Sequence, residues 1–558
     1  MPRSNNGEGQ SMRMGLRNKA AALIGGTCIS VALGLGAFAA AAPAPNTPQA
    51  RVEAAYRAAG MTDEKLAPGE IVTLVVRGSS IAYDPGESES VADPLKPDWG
   101  TSTFTETWDR SRELHRIEWS RPRANGEKRN YTEILSANGG YVMGIDVNGA
   151  QPRRAVQANN MPIKTMAGLR LALELRELER DNILDLMHTN PDRLAEIPNQ
   201  RSGGKTYPAV QYRGNYGTFI VMFDPLTRLP AVVRTRDFDV HAGDSDYDET
   251  LSDWREVMAS VKMPFKRVFT LNGLKIFDVT IAEIRMNPQL AVDAFTVPVA
   301  IRGKAARPAA NGSVPHQWII RRLGNGFYLD SDALYTDEGN NLQLVDVGPN
   351  ISHLTGGSHN TLIVATNDSL IAFDAPGDDG LSLKAIELAK AKYPGKPFRY
   401  VVLTHHHIDH TGGIRAYAAE GATLVVGKGN GAFFRRALAA PQGLNRFPLR
   451  SVPPKVIEVD GKWSVTDGGR TIEAYALETT HSEGYLIPYV PDAKMGFITD
   501  LWGPGPMVPP ANAGMRDVVA GVQKAGITPE KFAGGHGAVG NYADLVKSVQ
   551  AAPAAPAR

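Results

Sequence analysis

The stretch THHHIDHTGG at residues 404–413 contains the pattern H-x-H-x-D-H, in which imidazoles and a carboxylate occupy fixed positions. Residues 398–403 before it are rich in β-branched and aromatic side chains, which predicts a buried strand. Residues 414–420 after it are compatible with a helix. The stretch therefore lies between a strand and a helix, where open α/β sheets bind their ligands. A basic exposed loop with capping histidines is the alternative, and it leaves the fixed spacing unexplained.

Three side chains further along the chain could complete a site with this cluster. His481, Asp500 and His536 each follow a strand-like run or lie at a tight glycine turn. Asp374 ends the second strand of a predicted hairpin. Strand ends can bring such side chains to one edge of a sheet. A lone histidine or aspartate after a strand is usually structural, but the complete set in this order predicts a metal site.

From about residue 316 to residue 550, these motifs resemble the metallo-β-lactamase superfamily of αββα hydrolases. Strands that alternate with helices in this region independently indicate α/β layers. The resemblance implies a site for two metal ions, with three ligands to each ion and one carboxylate between them. The first set is His405, His407 and His481, the second set is Asp409, His410 and His536, and the bridging residue is Asp500.

The resemblance also gives roles to the residues around the ligands. Asp374 is expected to support the ligands from behind. His406 occupies a variable position, and alternate residues of an extended segment point opposite ways, so this side chain should face away from the metals. Asp409 has a second predicted role as the catalytic residue, which orients the attacking hydroxide or carries a proton to the leaving group.

The ligand types indicate the metal and the reaction. Imidazole suits zinc, and three nitrogen ligands leave a fourth position for water, as in catalytic zinc sites. The second set is richer in oxygen, so manganese or iron could replace zinc in one or both sites, although two Zn²⁺ ions are the preferred prediction. Two cations lower the pKa of a shared water to roughly 7, so that it is present as hydroxide, and polarise the scissile bond. We therefore expect a hydrolase of an ester, lactone, thioester or similar small substrate.

Two other functions remain open at the level of sequence. A β-lactamase of the type without a cysteine ligand is the first, but those enzymes generally lack an acid at the bridging position, where this chain has Asp500. Lactamases with a cysteine ligand are excluded because the region contains no cysteine. The second is a carrier of a lipid-like ligand with an auxiliary metal domain. Aromatic residues near the ligands, such as Trp502 and Phe434, line an apolar pocket or belong to the core.

Residues 61–300 predict a mainly antiparallel β domain of the α+β type, with an amphipathic helix at 165–186. The order of strands, helix and the turn DPLTRLP at 224–230 weakly resembles lipoprotein-carrier-like domains, which implies a cavity for an apolar ligand. Histidines in this half show no metal-ligand spacing and are expected to be structural or on the surface. They include His115, His188 and His241.

The first 42 residues differ in character from the rest of the chain. A basic segment and an apolar run that ends in small residues predict an export signal at 1–42, and thus a periplasmic or secreted protein. An uncleaved anchor is the alternative, and it would place the protein near a membrane, as would an apolar ligand in the β domain. The only cysteine, Cys28, lies in this segment, so the cleaved protein has no disulfide. The remaining predicted segments are a leader at 43–60, a linker at 301–315 and a tail at 551–558.

Charge and composition limit the partners. The 558 residues include 60 basic and 59 acidic side chains, for a formal net charge of +1, which gives no reason to expect nucleic acid. A hydrophobic content of 42% is typical of a globular protein. The sequence therefore predicts an α/β protein with an αββα metallo-β-lactamase sandwich at its C-terminus, preceded by the β-rich domain, and a small molecule as its substrate.

Overall fold

The computed structural model describes residues 47–61, 71–83, 85–93, 97–122, 128–136, 139–144, 163–166, 168–258, 260–304, 307–308, 342–357, 359–447 and 449–552. The predicted signal at 1–42, most of the predicted linker and residues 553–558 of the predicted tail lie outside these ranges. Within them, none of the helices has both the length and the apolar character that a membrane span requires.

The N-terminal half is built on one large antiparallel sheet. Its strands and a separate small hairpin, in chain order, are β1 (Thr73–Tyr83), β2 (Pro97–Asp109), β3 (Leu114–Pro122), β4 (Lys128–Ser136), β5 (Gly139–Gly144), β6 (Ile163–Thr165), β7 (Leu194–Glu196), β8 (Gln200–Ser202), β9 (Lys205–Tyr207), β10 (Ala209–Arg213), β11 (Thr218–Phe223), β12 (Pro230–Asp239), β13 (Gly243–Met258), β14 (Val261–Leu271) and β15 (Leu274–Met286). Among the described residues the sheet order is β6-β5-β4-β3-β2-β1-β15-β14-β13-β12-β11-β10-β7, and β8 pairs with β9. The predicted antiparallel β domain is thus confirmed.

Helices cover part of this sheet. α2 (Gly168–Asp181) and α3 (Ile183–Thr189) replace the single helix that the sequence predicts at 165–186, because the helix breaks at Asn182. Apolar positions of α2, such as Leu171, pack on the sheet, with Leu175 and Leu178 partly buried against the same core. The periodicity therefore predicts the buried face correctly.

The prediction that residues 43–60 form a leader is wrong for part of that segment. Residues Pro48–Ala58 form helix α1, whose N-cap Thr47 accepts a hydrogen bond from the Ala50 backbone N–H. Proline is favoured at the first position of a helix because its missing N–H would be unpaired there. Val52 and Ala55 are buried against α3 and the neighbouring strands, so α1 belongs to the N-terminal domain.

The C-terminal half contains two further sheets. The first has the order β16-β17-β18-β19-β20-β21-β22 and the second β23-β24-β25-β26-β27-β28. These strands are β16 (Gln343–Gly348), β17 (Ile351–Thr355), β18 (Thr361–Ala365), β19 (Leu370–Phe373), β20 (Phe398–Val402), β21 (Thr423–Gly427), β22 (Val456–Val459), β23 (Lys462–Asp467), β24 (Arg470–Leu477), β25 (Tyr485–Val490), β26 (Met495–Ile498), β27 (Lys531–Gly534) and β28 (Val539–Asn541).

The two sheets pack face to face between layers of helices. Side chains from both sheets, including Val402 and Phe497, share one core. A second core lies between the first sheet and its helices, and a third between the second sheet and its helices. The helices are α4 (Asp379–Lys392), α5 (Ile408–Thr411), α6 (Ile414–Ala419), α7 (Gly431–Ala439), α8 (Ala513–Ala525) and α9 (Tyr542–Ala551). This αββα arrangement matches the predicted fold class.

Strand direction determines where loops of the C-terminal domain meet. Strands β19, β20, β21 and β22 are parallel, so their carboxyl ends lie at one edge of the sheet. In the second sheet β26 and β27 are also parallel. β18 runs antiparallel to β19, so the start of β18 lies beside the end of β19. These strand ends carry the side chains described next.

The two halves of the chain are in direct contact. Phe238 and Val240 at the end of β12 form a small apolar cluster with Ile408 of α5. Nε2 of the buried His241 lies 2.8 Å from the hydroxyl oxygen of Thr411. The Arg415 guanidinium donates to the carbonyl oxygen of Val240. His241, which the sequence places among surface or structural residues, therefore has a structural position at this interface.

Candidate metal centre

The histidine stretch lies at the carboxyl end of β20, as the sequence predicts. β20 ends at Val402, residues 403–407 form the loop, and α5 begins at Ile408. All four residues of the motif are buried, with exposed fractions between 0% and 6%. Burial of so many ionisable groups is costly unless they share charges or bind a cation. The loop is therefore suited to bind a cation or to share charges with neighbouring groups, and it is not a solvent-exposed loop.

The first predicted ligand set converges. Nε2 of His405 lies 3.2 Å from Nε2 of His481, and both nitrogens lie 3.1 Å from Oδ2 of Asp500. With metal–nitrogen bonds of 2.0–2.1 Å, tetrahedral ligands stand about 3.3 Å apart. His407 joins them, because its ligand atom lies within 4.8 Å of the other three. The structure thus brings together His405, His407 and His481 with Asp500.

The second predicted set also converges, and it includes a residue that the sequence analysis does not identify. Asp409, His410 and His536 form a group with His359, whose ligand atoms all lie within 4.8 Å of one another. Nε2 of His359 lies 2.9 Å from Oδ2 of Asp409. The rings of His359 and His536 are 4.3 Å apart, centroid to centroid. His359 is therefore a fourth candidate ligand in this group.

A signal for His359 is present in the sequence. His359 precedes β18 by two residues, and β18 and β19 form the hairpin that the sequence predicts at 361–374. The start of one strand of a hairpin lies next to the end of its partner, where Asp374 stands. The position of a histidine just before a hairpin strand is therefore the sequence signal for this ligand.

Asp500 lies between the two groups. Its Oδ2 atom is 3.1 Å from Nε2 of His405 in the first group and 3.1 Å from Nε2 of His410 in the second. Its Oδ1 atom is 2.6 Å from Nε2 of His536. The backbone of Asp500 adopts φ of +57°, a left-handed conformation that costs energy for a residue with a Cβ atom. The carboxylate of this residue thus contacts histidines of both groups, as a bridging ligand requires.

Asp374 occupies the supporting position that the resemblance implies. Its carboxylate accepts hydrogen bonds from the backbone N–H of Thr404 at 2.7 Å and from the Thr404 hydroxyl. Its Oδ2 atom lies 3.3 Å from Nδ1 of His410, so Nε2 of that ring is directed at Asp500. A carboxylate behind a ligating histidine fixes the orientation of its ring. Asp374, like Asp500, has a left-handed backbone, with φ of +62°.

His406 and the aromatic residues near the site have structural positions. The His406 ring contacts the hydroxyls of Ser482 and Ser88 and lies outside both ligand groups, so it faces away from the centre as expected. Trp502 and Phe434 are buried in the cores beneath the helices. Of the two alternatives that the sequence leaves open for these residues, the structure therefore supports the core position.

Electrostatics in the cluster match the needs of a cation. Burial outweighs the opposing hydrogen bond with Asp500 and lowers the pKa of His405 to about 3, so its imidazole is neutral and can act as a ligand. Burial lowers the pKa of His410, but the carboxylates of Asp409 and Asp500 outweigh this effect and hold the pKa well above its usual value. Burial raises the pKa of Asp500, yet the neighbouring histidines hold it well below its usual value. The field at the second group therefore favours positive charge.

Buried polar atoms without hydrogen-bond partners also indicate that the residues fit a pair of divalent cations. Nδ1 of His407 and Oδ1 of Asp409 are buried and have no hydrogen-bond partner among the described residues. Unpaired buried acceptors cost about 1–3 kcal/mol each, and a bound cation would satisfy both. The donor set of imidazoles and carboxylates suits zinc, manganese or iron. The site is also accessible, since the His481 side chain is 30% exposed.

Comparison with known proteins gives the fold family of the C-terminal domain. The model of the metallo-β-lactamase superfamily matches residues 354–536. No curated protein matches the chain at the required significance. The C-terminal domain therefore has the metallo-β-lactamase fold, as the sequence predicts. Most members of this superfamily are hydrolases, and the His/Asp groups fit a metallohydrolase.

Solved structures that resemble the C-terminal domain have low sequence identity to this chain. An inverting sec-alkylsulfatase from Pseudomonas sp. has 19% identity and a TM-score of 0.29 over 37% of this chain and 41% of its own. A metallo-β-lactamase from Pontibacter korlensis has 17% identity and a TM-score of 0.30 over 38% of this chain and 99% of its own. The chain thus matches less than half of the sulfatase. Similarities at this level carry no argument about substrate.

Proposed function

We propose that this protein is an exported metallohydrolase that acts on an ester, lactone, thioester or similar small molecule at a centre of two metal ions. The supporting observation is the convergence of two histidine-rich groups on the shared carboxylate of Asp500. Two Zn²⁺ ions are the preferred occupants, with manganese or iron as alternatives in one or both sites. Export to the periplasm or the medium depends on the signal proposed at residues 1–42.

Bound cations would supply Lewis acidity and an activated water at neutral pH. The chain supplies the remaining functions. His405, His407 and His481 would hold one ion, and the group that contains Asp409 would hold the other. Asp374 orients His410 from behind through its 3.3 Å contact with Nδ1. Fixed ligands matter because a centre held in place needs no reorganisation during the reaction.

Asp409 is the candidate for proton transfer. Its Oδ2 atom contacts Nε2 of His359, while its Oδ1 atom is buried without a hydrogen-bond partner among the described residues. Burial raises the pKa of Asp409, but His410 and His359 outweigh this effect and hold it well below its usual value. The carboxylate is therefore ionised before reaction and can orient a water molecule, or accept a proton from that water and then pass it to the leaving group.

The alternative functions are less well supported. A β-lactamase without a cysteine ligand remains the second candidate among enzymes. Asp500 argues against it, because those enzymes generally lack an acid at the bridging position. For the carrier of a lipid-like ligand, the described part of the N-terminal domain contains a cavity of about 120 Å³. Ligand pockets usually measure roughly 300–1,000 Å³. Charged side chains such as Glu106, Asp181 and Arg267 also line this cavity, which disfavours a purely apolar ligand.

The proposal is tested on the purified full-length protein. Metal content is measured first, and a panel of chromogenic ester, lactone, thioester and cephalosporin substrates is then assayed with zinc-, manganese- and iron-loaded protein. We expect two ions per chain and turnover of an ester-like substrate that a chelator abolishes and the metal restores. Turnover that persists without metal would contradict the proposal, and turnover of the cephalosporin alone would favour the β-lactamase.

A further inference from the structure

A segment of the N-terminal domain lies across the metal-binding loops. This segment, residues 85–90, is called the strap below. The Gly86 carbonyl accepts a hydrogen bond from the backbone N–H of Ile408 at 3.0 Å. The Glu89 carbonyl accepts one from the backbone N–H of Glu483 at 2.7 Å. The strap therefore ties the loop that contains His407 to the loop that follows His481.

The strap fixes the protonation form of one candidate ligand. Nε2 of His407 lies 2.9 Å from the carbonyl oxygen of Ser88. A carbonyl can only accept a hydrogen bond, so Nε2 carries the proton of the neutral ring and Nδ1 presents a lone pair. Nδ1 has no hydrogen-bond partner among the described residues, so it is the nitrogen that His407 can offer to a cation in the first group. Hydrogen bonds of this kind orient metal-binding histidines.

The same strap places a carboxylate at this lone pair. Oε2 of Glu87 lies 3.6 Å from Nδ1 of His407, and Glu87, His407 and Asp409 have ligand atoms within 4.8 Å of one another. A separation of 3.6 Å is too long for a hydrogen bond, and neither atom has a proton to donate. Two acceptors that face each other at this distance repel unless a positive charge lies between them. The separation is close to the roughly 3.3 Å between two ligands of one tetrahedral ion.

We propose that the metal centre is shared between the two domains and that Glu87 is a ligand of the metal ion held by His407. The N-terminal domain then supplies one carboxylate ligand through Glu87 and one positioning contact through the Ser88 carbonyl. The Glu87 carboxylate is grouped with His407 of the first set and with Asp409 of the second. This inference rests on the proposed metal-dependent function, and it gives the N-terminal domain a direct role at the active centre.

The test compares two conservative variants of the strap in the full-length protein. E87Q removes the charge and leaves only a neutral amide oxygen, which is a weaker ligand, while it keeps the shape of the side chain. E89Q makes the same chemical change two residues away and leaves the backbone contact with Glu483 in place. Metal-free samples of both variants are first compared with the parent by thermal unfolding. Each is then titrated with Co²⁺ in competition with a chromogenic chelator, and the visible spectrum of the bound Co²⁺ is recorded.

We expect E87Q to bind one of two Co²⁺ ions at least about tenfold more weakly than the parent and to change the Co²⁺ spectrum, because outer partners alone change affinity by 10–100-fold. E89Q should match the parent in both respects. Unchanged Co²⁺ affinity and spectrum in E87Q would overturn the inference, as would an equal effect in E89Q, which would indicate general electrostatics. If the parent binds two ions but hydrolyses no substrate, only the proposed reaction fails. If the parent binds none, both fail.

Discussion

The Oδ1 atom of Asp500 lies 2.6 Å from Nε2 of His536, while Oδ2 of the same carboxylate faces His405 and His481. One carboxylate therefore contacts both groups of candidate ligands. Its strained backbone, with φ of +57°, indicates that the fold holds this side chain in place at an energetic cost. Strain of this type is typical of functional sites.

Replacing the shared carboxylate should release metal. In D500N the amide has no charge and a weaker ligand oxygen, so we expect affinity for at least one ion to fall by more than about 100-fold, beyond the range for outer partners. Metal content after dialysis measures this loss. D460N is the matched control, because Asp460 is exposed and pairs with Lys428 at the surface. Retention of both ions in D500N would contradict the bridging role.

Replacing Asp409 should separate metal binding from turnover. D409N keeps an oxygen that can still bind an ion but cannot accept a proton, so we expect turnover to fall by about 100- to 10,000-fold, the usual contribution of general acid–base catalysis. Metal content and the rate on the best substrate of the panel are measured on the same sample. Near-parental turnover with full metal content would show that Asp409 serves only as a ligand.

Removal of His359 should weaken the second site. H359A takes away the imidazole that contacts Asp409 at 2.9 Å and packs beside His536. We expect at least about tenfold weaker binding of one ion, measured by chelator competition. H188A serves as the control, since His188 stacks on Tyr56 outside both groups. Equal metal affinities in the parent and H359A would remove His359 from the site.

Truncation of Asp374 should destabilise the domain as well as the metal centre. D374A leaves the backbone N–H and the hydroxyl of Thr404 without their acceptor, which should cost about 1–3 kcal/mol in the free energy of unfolding. D374N keeps one acceptor oxygen and tolerates the left-handed backbone, so it should lose less. Urea unfolding of the metal-free proteins gives both values. Equal stability of D374A and the parent would contradict this account.

The domain interface should make stability depend on pH. Burial lowers the pKa of His241 to about 4 in the folded protein, because the opposing effect of Asp239 is smaller and Arg415 adds to the lowering, whereas an unfolded histidine titrates near 6.5. Between these values the unfolded chain binds the extra proton, so folding stability falls as the pH drops from about 6.5 to about 4. H241Q should lose this part of the pH dependence in thermal unfolding experiments. Parallel stability curves for H241Q and the parent would contradict the expected contribution.

Sequence patterns predict the C-terminal fold and much of the site because strand ends carry the ligands. The buried run before His405 and the glycines after His410 are local features, and the order of His481, Asp500 and His536 along the chain is visible directly. The antiparallel domain is also predictable, because the alternation of apolar and polar residues along a strand is a local pattern. These elements follow from short-range physics.

Contacts between distant parts of the chain could not be predicted in this way. The Ser88 carbonyl and His407 are 319 residues apart, and a backbone carbonyl has no sequence signature. His359 lies just before the start of a strand, whereas the ligands predicted from sequence follow strands. The sequence does not predict helix α1 because an Ala- and Pro-rich composition resembles a leader, although Val52 and Ala55 form a buried face. In each case tertiary packing decides the role of the residue.

The most direct test is to locate the metals in the full-length protein by anomalous X-ray diffraction at the absorption edge of the bound element. The account predicts two ions, one beside His405, His407 and His481 and one beside Asp409, His410 and His536, roughly 3.5–4 Å apart with Asp500 between them. A single ion, or two ions that do not share Asp500, would contradict it.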